Sequence, residues 1–246
     1  MKKKYISPFK PKQYINFKPQ YFKIYTFKAG FKKYKNDLLV IIFDKLVPVS
    51  AVYTKSSMPS APIIWDKNVE KNLCKVLIVN SGNANAYTGI IGLKAIKNYA
   101  KVASNLFKCK VNEVFVSSTG VIGEQLNSDL IINKLNLLRN TSSGNILEAA
   151  EAIMTTDTYP KIAQEIVINN KNKIRIFGIA KGSGMIAPKM GTMLAYIFIE
   201  TPLNKIELNK ILKENIESTF NSITVDGDTS TSDTVMLFSL GNNNKL

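Results

Sequence analysis

The residues with the clearest chemical potential lie in the stretch Lys181–Leu194, which reads KGSGMIAPKMGTML. Its glycines let the backbone approach a ligand closely or adopt positive φ, and Pro188 fixes one turn of it. Thr192 stands directly before the apolar run Met193–Ile199. A threonine hydroxyl becomes a nucleophile when its own freed α-amine acts as the base. We therefore predict that the chain cuts its own peptide bond between Gly191 and Thr192.

The chain contains no histidine. Ser-His-Asp and Cys-His relays within the chain are therefore excluded, and so are the usual histidine-ligated zinc sites. The two cysteines, Cys74 and Cys109, give neither a disulfide framework nor a metal-binding spacing. A base that works at neutral pH must then be an amine, a carboxylate or a water. We predict no metal site and no bound cofactor.

The formal net charge of +15 raises the question of a nucleic-acid partner. Only Arg139 and Arg175 are arginines, and the lysines are spread along the whole chain. Readers of phosphates and base edges favour the arginine fork, so we expect a solvated lysine surface and no nucleic-acid site. A basic binding protein is the alternative. The chain has no apolar run of 18 residues and no secretory signal, so we expect a cytoplasmic protein without a membrane partner.

Apolar runs and amphipathic stretches alternate along the 246 residues, a length suited to one sizeable domain or two small ones. Short apolar runs predict strands buried on both faces, and the stripe of apolar residues at helical spacing in Ile91–Phe107 predicts a core-packed helix. We expect two separate strands before residue 54, interrupted at Asp44–Lys45, and a later hairpin. The predicted strands are Leu38–Phe43, Val49–Tyr53, Lys75–Val79, Val114–Val116, Lys161–Asn169, Lys173–Ala180, Met193–Ile199 and Val235–Leu240.

Polar residues follow three of these predicted elements. The segment Asn80–Ala86 reads NSGNANA, and its three amides favour a functional loop over a plain turn. The segment Ser117–Gly123 offers hydroxyls and backbone N–H groups to a developing negative charge, a weak signal by itself. The three carboxylates of Asp226–Asp233 suit a cation, but their spacing does not match a calcium loop.

Five stretches, in this order and spacing, resemble the glutamate N-acetyltransferase / ornithine acetyltransferase family of arginine biosynthesis. The resemblance covers about residues 26 to 240, and each motif alone is loose. The stretches are NSGNANAYTG at 80–89, SSTGVIG at 117–123, MTTDT at 154–158, KGSGMIAPKMGTML at 181–194 and DGDTSTSD at 226–233.

The resemblance implies a self-cleaving acyltransferase. The threonine matching Thr192 takes the acetyl group from N-acetylornithine and passes it to glutamate, and some members also use acetyl-CoA. The family's oxyanion pair falls on Thr119 and Gly120. Its substrate contacts fall on Thr155 and Lys181, besides Thr192. The residue before the cut is commonly alanine in the family, and here it is Gly191.

The implied fold is α/β (α+β), a layered sandwich of β-sheets flanked by helices. It is a self-cleaving architecture of the N-terminal-nucleophile type, like that of aminopeptidase DmpA and the ornithine acetyltransferases. We expect a basic aromatic arm over residues 1–25, an α chain over 26–191 and a β chain from 192. Two copies of each chain would form an α2β2 heterotetramer.

The chain departs from the family in length. Family β chains run far beyond the 55 residues from Thr192 to Leu246, so the family's later acidic, asparagine and hydroxyl contacts have no positions here. This indicates a fragment or a truncated product. The competing interpretations are an N-terminal-threonine aminopeptidase or amidase, and an inactive remnant.

Overall fold

The computed structural model describes residues 15–68, 73–169, 172–186 and 193–241. Gly191 and Thr192 lie outside the described residues, and so does most of the predicted basic arm. Within those ranges the strands are β1 (Phe22–Phe27), β2 (Leu38–Tyr53), β3 (Leu73–Asn83), β4 (Val114–Val121), β5 (Lys161–Asn169), β6 (Asn172–Lys181), β7 (Leu194–Ile199) and β8 (Thr234–Ser239). The α-helices are α1 (Ala61–Asn68), α2 (Gly89–Phe107), α3 (Ser128–Leu137), α4 (Ile146–Ile153) and α5 (Lys205–Asn215).

The strands form a mixed sheet in the order β4-β3-β2-β8-β7-β6-β5, and β1 pairs with the first half of β2. The pairs β3–β4 and β7–β8 are parallel, and the other pairs are antiparallel. Strand β2 joins the two halves of the sheet, because its first half pairs with β1 and its second half with β8. The C-terminal ends of β4 and β6 therefore belong to opposite halves of the same sheet.

Three apolar clusters show how the layers stack. The central cluster joins one face of β2 and β3 to the inward faces of β6, β7 and β8, together with α4. Successive strand residues point to opposite faces, so the alternate residues of β2, β3 and β4 pack outward against α1, α2 and α3. Helix α5 covers the outer face of β7 and β8. The predicted layered α/β sandwich flanked by helices is confirmed.

The predicted break at Asp44–Lys45 is wrong, since β2 is continuous from Leu38 to Tyr53. Its pairing with β3 shifts register between Ile42 and Val47, and Asp44 and Lys45 are exposed within this irregularity. A β-bulge bends a strand without ending it. Two polar residues can therefore sit in a long strand and look like a turn in the sequence.

The end of the predicted basic arm belongs to the body of the protein. The boundary that we drew at residue 25 falls inside β1, where Phe22 and Ile24 are buried. Phe17 lies edge-on to Phe177, with 5.0 Å between the ring centroids. Among the described residues, no helix is both long enough and apolar enough to span a membrane.

Candidate active site

Lys181 and Thr119 meet where β6 and β4 end. The Lys181 Nζ donates a hydrogen bond to Thr119 Oγ1 at 3.1 Å, and both residues are 2% exposed. An ammonium has three donors and no acceptor, so the threonine oxygen accepts and its own proton is left to donate elsewhere. The structure thus brings together Thr119, which is predicted to stabilise the oxyanion, and Lys181, which is predicted to bind the substrate.

Gly120, the second residue predicted for the oxyanion, lies where two backbones come very close. It pairs with Gly82 across the parallel β3–β4 ladder and has a φ of +134°. A Cβ at this position would lie 2.3 Å from the Gly82 carbonyl carbon. Because only glycine fits such an approach, the spacing of these strand ends depends on Gly120. A Cβ on Gly82 would in turn lie 2.6 Å from the Phe31 carbonyl oxygen, a structural requirement that we did not single out from the sequence.

Thr155 joins this group through Asp157. The Asp157 carboxylate accepts the backbone N–H of Thr155 at 3.2 Å and that of Gly182 at 2.8 Å. It also accepts the Lys161 ammonium at 2.5 Å. One buried carboxylate therefore ties the segment after α4 to the residue that follows Lys181. Asp157 therefore makes a bridging contact between these two segments.

The site is rich in lysines that are partly removed from water. Burial lowers the pKa of the Lys181 ammonium, and Asp157 and Asp233 partly oppose that shift. Burial also lowers the pKa of Lys32, to about 8, while its Nζ donates to the Met154 carbonyl at 2.8 Å. Burial alone would raise the pKa of Asp157, but its hydrogen bonds from Lys161 and Gly182 outweigh burial and lower it. This concentration of ammonium groups suits a ligand that carries a carboxylate.

The segment 224–234 holds the backbone on both sides of residues 187–192. On one side, Asp226 accepts the N–H groups of Met185 at 2.5 Å and Ile186 at 2.8 Å. On the other side, Asp233 accepts the N–H of Met193 at 2.7 Å. The predicted cleavage residues Gly191 and Thr192 lie between these anchors in the chain, outside the described residues. Two of the three carboxylates that we considered for a cation, those of Asp226 and Asp233, therefore bind backbone amides.

The amides of the segment 80–86 are used inside the fold. The Asn80 side chain donates to the Asn83 carbonyl at 2.8 Å and accepts from Ser118 Oγ at 2.6 Å. The Asn85 side chain donates to the Gly92 carbonyl at 3.2 Å. These bonds connect the end of β3 to β4 and to the start of α2. The predicted functional loop therefore supports the end of β4 that carries Thr119.

The comparison with known families agrees with this geometry. The model of the ArgJ family matches residues 23–245. The chain belongs to the ArgJ family. A relative named arginine biosynthesis bifunctional protein ArgJ, from Bradyrhizobium diazoefficiens, is 46% identical over 220 residues, which is 88% of this chain and 53% of the relative. The protein of the same name from Brucella suis is 42% identical over 240 residues, 96% of this chain and 58% of the relative.

Two solved ArgJ-type structures share the fold. The arginine biosynthesis bifunctional protein from Bacillus halodurans matches with a TM-score of 0.64 and 32% identity, covering 71% of this chain and 92% of that chain. An ornithine acetyltransferase in complex with ornithine, from Mycobacterium tuberculosis, matches with a TM-score of 0.61 and 29% identity, covering 72% and 94%. This member of the ArgJ family spans little more than half the length of the curated relatives that it matches.

Proposed function

We propose that this ArgJ-family chain cleaves itself between Gly191 and Thr192 and then transfers an acetyl group through an acyl-Thr192 intermediate. The acetyl donor is N-acetylornithine, with acetyl-CoA as a second donor, and the acceptor is glutamate. The chemistry uses side chains and the freed Thr192 amine, and it requires no bound cofactor.

One observation carries the proposal: the buried contact between Lys181 and Thr119 lies beside the chain positions that flank the predicted cut. Lys181 ends β6, and Met193, directly before β7, is held by Asp233. In an acyltransferase a positive group must bind the substrate carboxylate while hydroxyl and N–H donors stabilise the oxyanion. The buried Lys181 ammonium and the Thr119 hydroxyl offer one group of each kind in direct contact, which supports the proposal.

The mechanism follows from these groups. The Thr192 hydroxyl attacks the Gly191 carbonyl carbon, the peptide C–N bond breaks and frees the Thr192 amine, and water hydrolyses the resulting ester to release the Gly191 carboxylate and the Thr192 hydroxyl. That amine has an ordinary pKa of about 7.7–8.0 and takes the hydroxyl proton during acyl transfer. Thr119 and Gly120 stabilise the tetrahedral oxyanion. Loss of one such donor typically slows the reaction about 10²–10³-fold. Lys181 and Thr155 hold the amino-acid substrate.

The two products of the cut are expected to stay together. Strands β7 and β8 follow the cut in the chain but lie inside the sheet, between β2 and β6. Strand β7 pairs with β6 over six residue pairs, and β8 pairs with β2. Separating the fragments would expose the central core, so we propose that α and β chains form one unit, assembled as α2β2.

Intact-mass analysis of the purified 246-residue chain tests the proposal. We expect two fragments divided between Gly191 and Thr192, and an uncut chain for Thr192→Ala. Thr192→Ser is the matched control, because it keeps a hydroxyl and should still be cut. Circular dichroism checks that Thr192→Ala folds like the wild type.

An activity assay then separates acetyl transfer from the other chemistry of an N-terminal nucleophile. Purified protein is incubated with N-acetylornithine and glutamate, and separately with a peptide amide. Formation of N-acetylglutamate supports the proposal, whereas release of an amine from the peptide amide alone would indicate an amidase. A folded wild-type chain that stays uncut would refute the acyl-Thr192 mechanism.

A further inference from the structure

The self-cleavage step lacks an identified base. The amine that serves acyl transfer does not exist before the cut, because the Thr192 nitrogen is then part of a peptide bond. The chain has no histidine, so the proton of the attacking hydroxyl must pass to a carboxylate, a lysine or a water. Among the described residues that contact the chain on either side of the cut, one carboxylate has an oxygen that can accept this proton.

Asp233 is fully buried, and its two oxygens differ. One oxygen, Oδ1, accepts the N–H of Met193 at 2.7 Å. The other, Oδ2, has no hydrogen-bond partner among the described residues. A buried polar atom without a partner is unfavourable by about 1–3 kcal/mol, so it calls for an explanation. The adjacent Asp226 is exposed and uses both of its oxygens to anchor Met185 and Ile186.

Asp233 contacts the residue that directly follows Thr192 in the chain. Met193 N is bonded to the carbonyl carbon of Thr192, and the Thr192 Cα lies about 2.5 Å from that nitrogen in any conformation. The carboxylate that accepts from Met193 N–H is therefore one peptide unit along the chain from the residue that carries the proposed nucleophile.

The surroundings of Asp233 also allow it to exchange a proton near neutrality. Burial raises the pKa of Asp233 to about 7, opposed by the hydrogen bond from Met193, by the Lys181 charge and by the Ser230 hydroxyl. These three groups are the described neighbours that influence its ionisation, and Lys181 is the charged one. A base is most effective when its pKa is close to the working pH.

We propose that Asp233 is the proton-transfer residue of self-cleavage, an inference that rests on the proposed function. As the Thr192 oxygen bonds to the Gly191 carbonyl carbon, the hydroxyl proton moves to Asp233 Oδ2. When the C–N bond breaks, Asp233 returns that proton to the departing nitrogen, which becomes the free amine. No proton is gained or lost overall, and water then hydrolyses the ester.

The test follows self-cleavage of the newly made chain by translating it in vitro and chasing it in buffers from pH 5 to pH 9. The wild-type rate should rise as Asp233 ionises, with an inflection near pH 7, and then level off. Asp233→Asn keeps an oxygen that can accept from Met193 N–H but cannot take a proton. It should cut about 10²–10⁴-fold more slowly, and its remaining rate should lack that inflection.

Asp226→Asn is the matched control, because it alters the carboxylate that anchors the other side of the cut. It should keep the inflection near pH 7 even if its rate changes. Cleavage of Asp233→Asn at the wild-type rate would overturn the proposal. If Asp233→Asn does not fold, the wild-type profile decides alone: a flat rate from pH 5 to pH 9 overturns it. A folded wild-type chain that is never cut refutes the proposed function instead.

Discussion

Replacing Gly120 by alanine should separate the cost of backbone strain from the cost of a steric clash. Gly120 and Gly123 both have positive φ, +134° and +89°. A Cβ on Gly120 would lie 2.3 Å from the Gly82 carbonyl carbon and 2.7 Å from the Asn83 nitrogen, whereas a Cβ on Gly123 would meet nothing within 4 Å. Gly123→Ala therefore serves as a matched control that adds strain alone.

The expected magnitudes differ for this reason. An alanine at positive φ is unfavourable by about 1–2 kcal/mol, and this is the whole effect expected of Gly123→Ala. Gly120→Ala adds the overpacking of two backbones in a sheet, about 1–3 kcal/mol more. Those backbone atoms belong to paired strands, so they cannot move aside as a flexible side chain would.

Urea denaturation followed by circular dichroism measures the difference. Both variants are made in the Thr192→Ala background, so that each unfolds as a single chain. With an m-value of about 2–3 kcal/mol/M, the midpoint of Gly120→Ala should lie about 0.3–1.5 M below that of Gly123→Ala. Equal midpoints would show that β3 and β4 are not held at the observed separation, and would refute this account of Gly120.

Two further predictions concern charged groups of the site. Asp157→Asn should lower the free energy of unfolding by about 1–3 kcal/mol at pH 7, because a buried charged acceptor of three hydrogen bonds is lost. The pKa of Asp157 is lowered in the fold, so this stabilisation is present above its ordinary pKa and should disappear in urea titrations as the pH falls below about 4. Lys181→Met removes the positive charge that lowers the pKa of Asp233, so the inflection of the self-cleavage rate should move above pH 7. An unchanged inflection would show that the two charges do not interact. For transfer activity, the KM for glutamate should rise at least about tenfold, the effect of losing roughly 1.4 kcal/mol of carboxylate binding.

The sequence alone was sufficient for the local elements. The apolar run at 75–79 forms the predicted strand, and the apolar stripe of Ile91–Phe107 forms the predicted helix. A strand buried on both faces has a continuous apolar run in its sequence, and a helix buried on one side has apolar residues at helical spacing. The strand interruption at Asp44–Lys45 was mispredicted. A bulge and a turn both put polar residues between apolar runs, and only the pairing partner distinguishes them.

The five motifs indicated the family, which is confirmed, and implied roles for Thr119, Gly120, Thr155 and Lys181 that stay predictions. Composition could not separate Lys181 from the other lysines, since they all carry the same charge. Its burial depends on β6, which brings it to Thr119 across 62 positions of the chain.

The tertiary structure alone decided what the carboxylates do. Asp226 and Asp233 stand in one polar segment and look equivalent in the sequence. Asp226 is exposed and uses both oxygens on backbone amides, whereas Asp233 is fully buried and one of its oxygens has no hydrogen-bond partner among the described residues. The ionisation of a carboxylate depends on how much water and how many donors surround it. Those surroundings come from strands and loops far apart in the chain, so they exist only once the sheet has formed.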